Sequence, residues 1–191
     1  PLTSTTWYSK GTGNSNFGYI GSVKFSFFGS SKVDRIDYSN DSVTASTRGP
    51  LSLIIYRSSS TGNSNFGYFG GGLTSPGPVS TVDRIDYSND TATASVRGPL
   101  SSARYELAAT GNSNFGYFGG GTPGPVSTVD RIDYSNDTAT ASVRGPLSLT
   151  RFTLGATGNS SFGYFGGGFP GPVSTVDRID YSNDTATAST R

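Results

Sequence analysis

The stretch TGNSNFGYFGGG at residues 61–72 decides the fold, because the chain repeats it letter for letter at residues 110–121. A near copy, TGNSSFGYFGGG, occupies residues 157–168, and a shorter variant, TGNSNFGYIGS, occupies residues 12–22. A phrase that recurs at a nearly fixed spacing indicates a repeat architecture. We therefore interpret residues 1–191 as a single domain built from four repeats. With GPLS marking each boundary, the repeats span residues 1–49, 50–98, 99–145 and 146–191.

Each repeat holds four short segments with strand character. In the third repeat these segments are rich in β-branched, aromatic or alternating residues and lie at 103–109, 115–119, 128–134 and 138–144. Clusters of Gly, Pro, Asn, Asp and Ser separate them, which is typical of turns, and no segment shows the apolar period of a helix. Four strands in fewer than 50 residues form the unit of a β-propeller blade.

The sequence thus predicts an all-β protein, a β-propeller with four blades of four antiparallel strands. A lone blade cannot bury both of its faces, whereas stacked blades can, and glycines let neighbouring backbones approach closely. We expect the four blades to close into a ring. The alternative is part of a larger ring, completed by further chain or by oligomerisation. The first repeat is atypical, since residues 20–32 replace the triple glycine with IGSVKFSFFGSSK, as is common in terminal repeats.

Composition excludes several classes of function. Only 14% of the residues are charged and the net charge is +1, so no basic surface predicts binding to nucleic acid. No apolar stretch approaches the ~18 residues of a membrane-spanning helix, and we expect no membrane insertion. Cysteine and histidine are absent, which removes thiolate and imidazole catalysis and the commonest metal ligand. We therefore expect no cofactor.

The acidic residues concentrate in the repeated phrase VDRIDYSND, which places Asp130, Asp133 and Asp137 within eight residues of the third repeat. Clustered carboxylates can bind Ca²⁺. However, Asp and Asn in YSND also form Asx turns, and Asp130 beside Arg131 is typical of strand charges that pair with neighbours. We favour the structural interpretation and expect no metal site. Acid–base catalysis needs carboxylates in different environments, whereas the repeats make identical ones, so we predict no enzymatic activity.

The repeats differ mainly in two segments, the link into the first strand and the loop after the glycines. In an up-and-down blade both segments emerge on the same face, and loops on a rigid scaffold are where binding usually occurs. Aromatic and arginine side chains are the usual anchors of such a surface. We therefore predict a ligand-binding face, with neutral drift of the loops as the alternative. The candidate residues are Trp7, Tyr56, Arg57, Arg104, Glu106, Arg151 and Phe152.

Residues 80–121, STVDRIDYSNDTATASVRGPLSSARYELAATGNSNFGYFGGG, resemble a kelch repeat, in which an acidic strand, a turn, an Arg-led inner strand and a glycine-terminated strand follow one another. The correspondence covers the glycines at 119–121, the strand at 129–133, and the leading residues Arg104 and Arg151. Ile132 stands where the family has Tyr and Ala139 where it has Trp, so the large residues of the kelch core are reduced. The whole chain is also similar to repeats seen in proteins of cyanobacteria and their phages.

A second resemblance lies at residues 135–140, where SNDTAT is similar to the Asp-box of sialidase-type propellers. In that family the box is a structural turn between the two outer strands. The resemblance therefore implies a strand arrangement and no catalytic role.

These observations favour a non-enzymatic binding or structural module. We expect a component of a virion, tail fibre or cell surface, extracellular or virion-borne, that engages a glycan or protein through one loop face. One alternative is an intracellular kelch-type scaffold for protein interactions. Another is an artificial or reconstructed repeat protein, because the repeats are so alike. A second copy of the chain is a further candidate partner, in a homo-oligomer.

Overall fold

The computed structural model describes residues 1–21, 23–25 and 28–191. Its strands form four sheets of four antiparallel strands, one for each repeat, and one two-stranded hairpin in the first repeat. The predicted fold class is confirmed: the protein is all-β, and its four sheets are four propeller blades, numbered here 1 to 4 in chain order. Ser22, Ser26 and Phe27, in the atypical segment of the first repeat, lie outside the described residues.

Every blade has the same order, in which its four strands pair in sequence; in blade 1 a two-stranded hairpin intervenes between the second and third strands. Blade 1 contains β1 (Lys10–Gly13), β2 (Phe17–Gly21), β5 (Val33–Asp37) and β6 (Ser46–Arg48), and the hairpin contains β3 (Val23–Phe25) and β4 (Phe28–Ser30). Blade 2 contains β7 (Ser59–Gly62), β8 (Phe66–Gly70), β9 (Val82–Asp86) and β10 (Ser95–Arg97). Blade 3 contains β11 (Ala108–Gly111), β12 (Phe115–Gly119), β13 (Val129–Asp133) and β14 (Ser142–Arg144). Blade 4 contains β15 (Gly155–Gly158), β16 (Phe162–Gly166), β17 (Val176–Asp180) and β18 (Ser189–Thr190).

The first strand of blade 3 begins later than the sequence predicts. In blade 3 it begins at Ala108 rather than at residue 103, and it runs into the TGNSN phrase as far as Gly111. The cause is Glu106, whose φ of 57° cannot belong to an extended strand. Tyr105, one residue earlier, makes only an isolated bridge with Thr122. The outermost strand is likewise shorter than predicted and begins at Ser142.

Asx turns occupy the two turns that hardly change between repeats, but at YSND the responsible side chain is Asp133, not the Asp and Asn of YSND that the sequence predicts. Asp133 Oδ1 accepts hydrogen bonds from the backbone N–H of Ser135 at 2.9 Å and from its hydroxyl at 2.6 Å. This carboxylate stands one residue before the YSND phrase and caps a short 3-10 helix, Tyr134–Asn136. In the other turn, Asn112 Oδ1 accepts from the N–H groups of Asn114 and Phe115. The side chains that the sequence repeats therefore fix the turn geometry locally.

The hydrophobic core lies between blades rather than inside them. Three clusters of buried residues occur, and each draws its members from two adjacent blades. In the cluster between blades 2 and 3, Tyr68 and Val82 of one blade pack with Phe118 and Ile132 of the next. A Cβ at Gly70 would lie 2.7 Å from the Phe118 ring. Glycine is needed there because the neighbouring blade occupies that space.

Each junction also carries the same polar contacts. Between blades 1 and 2, the Tyr19 hydroxyl donates to Asp90 at 2.8 Å and Arg35 forms an ion pair with the same carboxylate at 2.8 Å. Tyr19 also stacks on Tyr87, with ring centroids 4.7 Å apart. The equivalent contacts recur at the next two junctions, joining Tyr68 and Arg84 to Asp137, and Tyr117 and Arg131 to Asp184.

The expected closed ring is not observed. No hydrogen bond or ion pair among the described residues joins blade 4 to blade 1 in the way that successive blades are joined. Thr157 on β15 is exposed, whereas the equivalent Thr61 and Thr110 are buried against a following blade. The four blades therefore form an open arc, in which blade 4 is not paired with blade 1. No helix within the described part of the chain is long and apolar enough to cross a membrane.

Candidate functional site

The two variable segments of each blade lie side by side on one face. Tyr56, in the link into β7, exchanges backbone hydrogen bonds of 3.1 and 2.8 Å with Leu73, in the loop after the glycines. The corresponding pairs in blades 3 and 4 are Tyr105 with Thr122 and Phe152 with Phe169. The prediction that both segments share a face is confirmed. We call this surface the variable face; it comprises residues 51–58 and 73–79 of blade 2, their equivalents in blades 3 and 4, and the link at residues 2–9 of blade 1.

A ring of four equivalent residues marks the centre of the variable face. Tyr8, Arg57, Glu106 and Thr153 each immediately follow the aromatic residue of a link, and each has a φ between 54° and 58°. Side chains other than glycine rarely adopt this left-handed conformation, and it recurs at functional sites. The Glu106 N–H donates to the Arg57 carbonyl at 2.8 Å, and the Thr153 N–H donates to the Glu106 carbonyl at 2.7 Å. We call these four residues the axial quartet.

The axial quartet combines charge with an aromatic ring. Arg57 and Glu106 form an ion pair of 2.7 Å. The Arg57 guanidinium also lies 4.7 Å from the centroid of the Tyr8 ring and donates to the Tyr8 hydroxyl at 3.3 Å. Burial lowers the pKa of Arg57, but the Tyr8 hydrogen bond and the Glu106 charge together raise it by more, so the guanidinium stays charged. A cavity of about 100 Å³ opens beside these groups and is also lined by Lys10.

A larger groove of about 700 Å³ lies beside the quartet, on the part of the variable face that blade 2 contributes. Its lining is mostly apolar and includes Leu53, Ile54, Tyr56, Pro76 and Val79. Leu53 and Ile54 are exposed there. Ligand-binding clefts are typically 300–1,000 Å³ and combine such a lining with a few polar groups. The groove and the axial quartet together form the candidate site.

Five of the seven predicted site residues lie on the variable face. Tyr56 lines the groove, and Arg57 and Glu106 belong to the axial quartet. Phe152 stacks on Phe169 with ring centroids 5.8 Å apart. Trp7 precedes the quartet residue Tyr8 and is 61% exposed, the largest exposed aromatic side chain of the described chain. These residues remain candidates for ligand contact.

The other two predicted site residues, Arg104 and Arg151, do not lie on the variable face. Both are buried inside their blades. Their exposed fractions are 2% and 1%. Arg104 forms an ion pair of 2.6 Å with the buried Asp130, and its other terminal nitrogen donates to the carbonyls of Gly120 and Thr128. Arg151 makes the same contacts with Asp177 and two carbonyls of blade 4. Both guanidinium groups hold the loop after the glycines in place, and neither reaches the surface.

Sequence reasoning left Tyr8, Tyr105 and Thr153 out of the candidate set. Aligning the repeats by their links would have found them, because Tyr105 is equivalent to Tyr56 and Thr153 is equivalent to Arg57. The left-handed backbone of the quartet has no signal in the residue types, since Tyr, Arg, Glu and Thr share no preference for it.

The polar chemistry of this face suits non-covalent recognition. Among the described residues, no group of three or more acidic, histidine or cysteine side chains could hold a metal ion. Exposed rings, the Arg57–Glu106 pair, Lys10 and an apolar groove can instead stack on a ligand and hydrogen-bond to it. The chain matches no protein-family model and, in a comparison with curated proteins, no relative.

Proposed function

We propose that the protein is a non-enzymatic, kelch-like binding module of a virion, tail fibre or cell surface, which engages a glycan through its variable face. One observation carries the proposal: nearly all the variation between repeats falls on two segments that pair with each other around the axial quartet. The contacts between blades use the side chains that do not vary. A scaffold whose contacts stay constant while one face diversifies is typical of a recognition protein.

The chemistry of the face favours a carbohydrate. Aromatic rings such as Trp7 and Tyr56 present flat apolar surfaces that can pack against a sugar ring, and Tyr hydroxyls add hydrogen-bonding groups. Arg57 and Glu106 supply charged donors and acceptors at the edge of the cavity. The charges of Arg57 and Glu106 neutralise each other and leave Lys10 as the further charge of the cavity, so a neutral or singly anionic glycan suits the site better than a highly charged one.

The environment of the repeated carboxylates supports a non-enzymatic role. In blade 3, Asp130 pairs with Arg104 inside the blade, Asp133 caps a turn, and Asp137 accepts from Tyr68 of the preceding blade. Each carboxylate therefore has a structural task. On the variable face the acidic group is Glu106, and it is paired with Arg57.

Glycan-array binding tests the proposal. The parent chain is screened, and its strongest hits are measured again with Tyr56→Ala and with the double variant Arg57→Gln/Glu106→Gln. Truncation of a central aromatic or charged anchor lowers affinity by about tenfold or more. Val96→Ala is the matched control, since Val96 is 59% exposed on the outer strand β10, away from this face. Equal binding by all four proteins, or no glycan hit at all, would overturn the proposal.

A protein-interaction scaffold, as in intracellular kelch proteins, is the second candidate. The groove of blade 2 favours it, because Leu53 and Ile54 are exposed beside Tyr56. Exposed aliphatic side chains of this kind suit an apolar peptide better than a sugar. A library of peptides displayed against the parent and against Ile54→Asp would distinguish the two. Binders that Ile54→Asp abolishes would support the scaffold, and a library without binders would contradict it.

A further inference from the structure

We propose that blade 4 of one chain docks on blade 1 of a second copy, and so reproduces between chains the contact that joins successive blades within the chain. The inference goes beyond the proposed function and does not depend on it. It rests on the outer faces of blade 1 and blade 4, at the two ends of the open arc. One of these faces carries the acceptor half of the repeated junction, and the other carries the donor half.

The three internal junctions define what each half contains. The trailing face of a blade supplies donors: at the junction of blades 3 and 4, Tyr117 and Arg131 both bind Asp184, and the Nε of Arg144 lies 3.7 Å from the same carboxylate. The leading face of the following blade supplies that Asp and a Tyr, Tyr181, which stacks on Tyr117 at 4.7 Å. Every junction is therefore directional, with donors on one side and the acceptor on the other.

Blade 4 presents the donor half without its partner. Tyr164, Arg178 and Arg191 are equivalent to Tyr117, Arg131 and Arg144. Tyr164 is partly exposed, whereas Tyr117 is fully buried, and Arg178 forms no ion pair with the described residues. Arg178 is nevertheless held in place, because its guanidinium lies over the Phe162 ring at 4.4 Å. The trailing face of blade 4 thus carries two arginines, Arg178 and Arg191, that form no ion pair with the described residues, and the partly exposed phenol of Tyr164.

Blade 1 presents the acceptor half. Asp41 is equivalent to Asp90, Asp137 and Asp184, but it is exposed and pairs with no described residue, whereas its three equivalents are buried. Tyr38 is equivalent to Tyr181 and is also exposed. Ile36 is partly exposed, although its equivalents in blades 2 to 4 are buried.

The two faces are complementary in charge and in shape. Arg178, Arg191 and Tyr164 of one copy can bind Asp41 of the next, while Tyr164 stacks on Tyr38 as in the internal junctions. At the internal junctions a phenylalanine of one blade packs over a glycine of the preceding blade, as Phe118 does over Gly70. Ile20 occupies the phenylalanine position in blade 1, so in the proposed contact it would lie over Gly166 of the other copy. A Cβ at Gly166 would have only Val176 near it among the described residues. A smaller side chain therefore meets an open site. The contact is heterologous, so copies join head to tail.

Charge exchange at the proposed contact tests it on the full chain. Asp41→Arg and Arg178→Asp each place like charges across the contact, which costs several kcal/mol at a protein interface. We expect the parent to self-associate in sedimentation velocity, and each variant alone to dissociate at least about 100-fold more readily. A mixture of the two variants places opposite charges across both kinds of contact, the native pair of Arg178 with Asp41 and the exchanged pair. The mixture should therefore associate again into alternating chains, whereas each variant alone should not.

The double variant Asp41→Arg/Arg178→Asp restores opposite charges and should associate again by itself. Val96→Arg and Val96→Asp are controls that place the same charges on an exposed outer strand and should behave as the parent. A parent that stays monomeric at every concentration would overturn the proposal, and would assign the open faces to ring closure within one chain or to another partner. Self-association that is insensitive to both charge changes would overturn it as well.

Discussion

Replacing the equivalent aspartate by asparagine in two neighbouring blades should change the free energy of unfolding by very different amounts. Asp130 and Asp83 occupy equivalent positions and are both buried, with exposed fractions of 0% and 1%. Asp130 binds Arg104 at 2.6 Å. In blade 2, Ile55 takes the place of the arginine, and among the described residues Asp83 accepts from the backbone N–H and the hydroxyl of Ser52 alone.

The difference in surroundings sets the expected magnitudes. Asp130→Asn leaves the buried Arg104 guanidinium without a counter-charge, and breaking a buried pair in this way costs about 3–5 kcal/mol of unfolding free energy. Burial raises the pKa of Asp83, against the effect of its Ser52 hydrogen bonds, so its charged form is disfavoured in the folded protein. Asparagine removes that charge while keeping the shape. Asp83→Asn should therefore leave stability within about 1 kcal/mol of the parent, or increase it.

Urea denaturation at neutral pH, followed by far-UV circular dichroism, measures both free energies. The slopes with denaturant must agree between variants for the comparison to hold. Asp177→Asn repeats the experiment in blade 4, where Arg151 is the partner, and should match Asp130→Asn. Equal losses at Asp83 and Asp130 would show that the ion pair does not determine the cost, and the reasoning would fail.

Two further perturbations test the junctions between blades. Burial and the hydrogen bonds to aspartate raise the pKa values of Tyr19, Tyr68 and Tyr117 above the unfolded value of about 10. The stability that these tyrosines contribute is therefore complete below pH 10 and is lost as the pH rises above it. The urea midpoint should fall above pH 10, less steeply in Tyr117→Phe, and a flat profile would contradict this. Gly98→Ala should lower the free energy of unfolding by about 2 kcal/mol or more, because its Cβ would lie 1.8 Å from the Ala139 carbonyl oxygen of blade 3. Gly77→Ala is the control, since its Cβ would meet no atom within 4 Å, and it should melt like the parent.

The sequence was sufficient for the architecture because the repeat and its turn residues each act locally. Alternation and β-branching predicted the three outer strands, and Asp133 and Asn112 form turns within a few residues of themselves. The start of the first strand could not be predicted, since the left-handed backbone at Glu106 depends on hydrogen bonds to blades on either side.

The candidate site was partly predictable for a related reason. Variation between repeats located the face, and aromatic and charged residue types identified Tyr56, Arg57 and Glu106. Residue type alone could not distinguish Arg57 from Arg104, two positions apart in their links. Arg104 points to Asp130 on β13 of its own blade, and only the folded sheet brings these two residues together. Ring closure failed for a similar reason, because it depends on the angle between blades and not on any local pattern.

The separation of the two surfaces has a consequence for how such a chain can change over generations. Tyr, Arg and Asp hold successive blades together in the same way at all three junctions. A repeat can therefore be deleted, duplicated or moved by recombination as an interchangeable cassette without loss of fit to its neighbours. Each such exchange would bring a different link and loop to the variable face. New binding specificities could therefore arise by recombination of repeats, without point mutations.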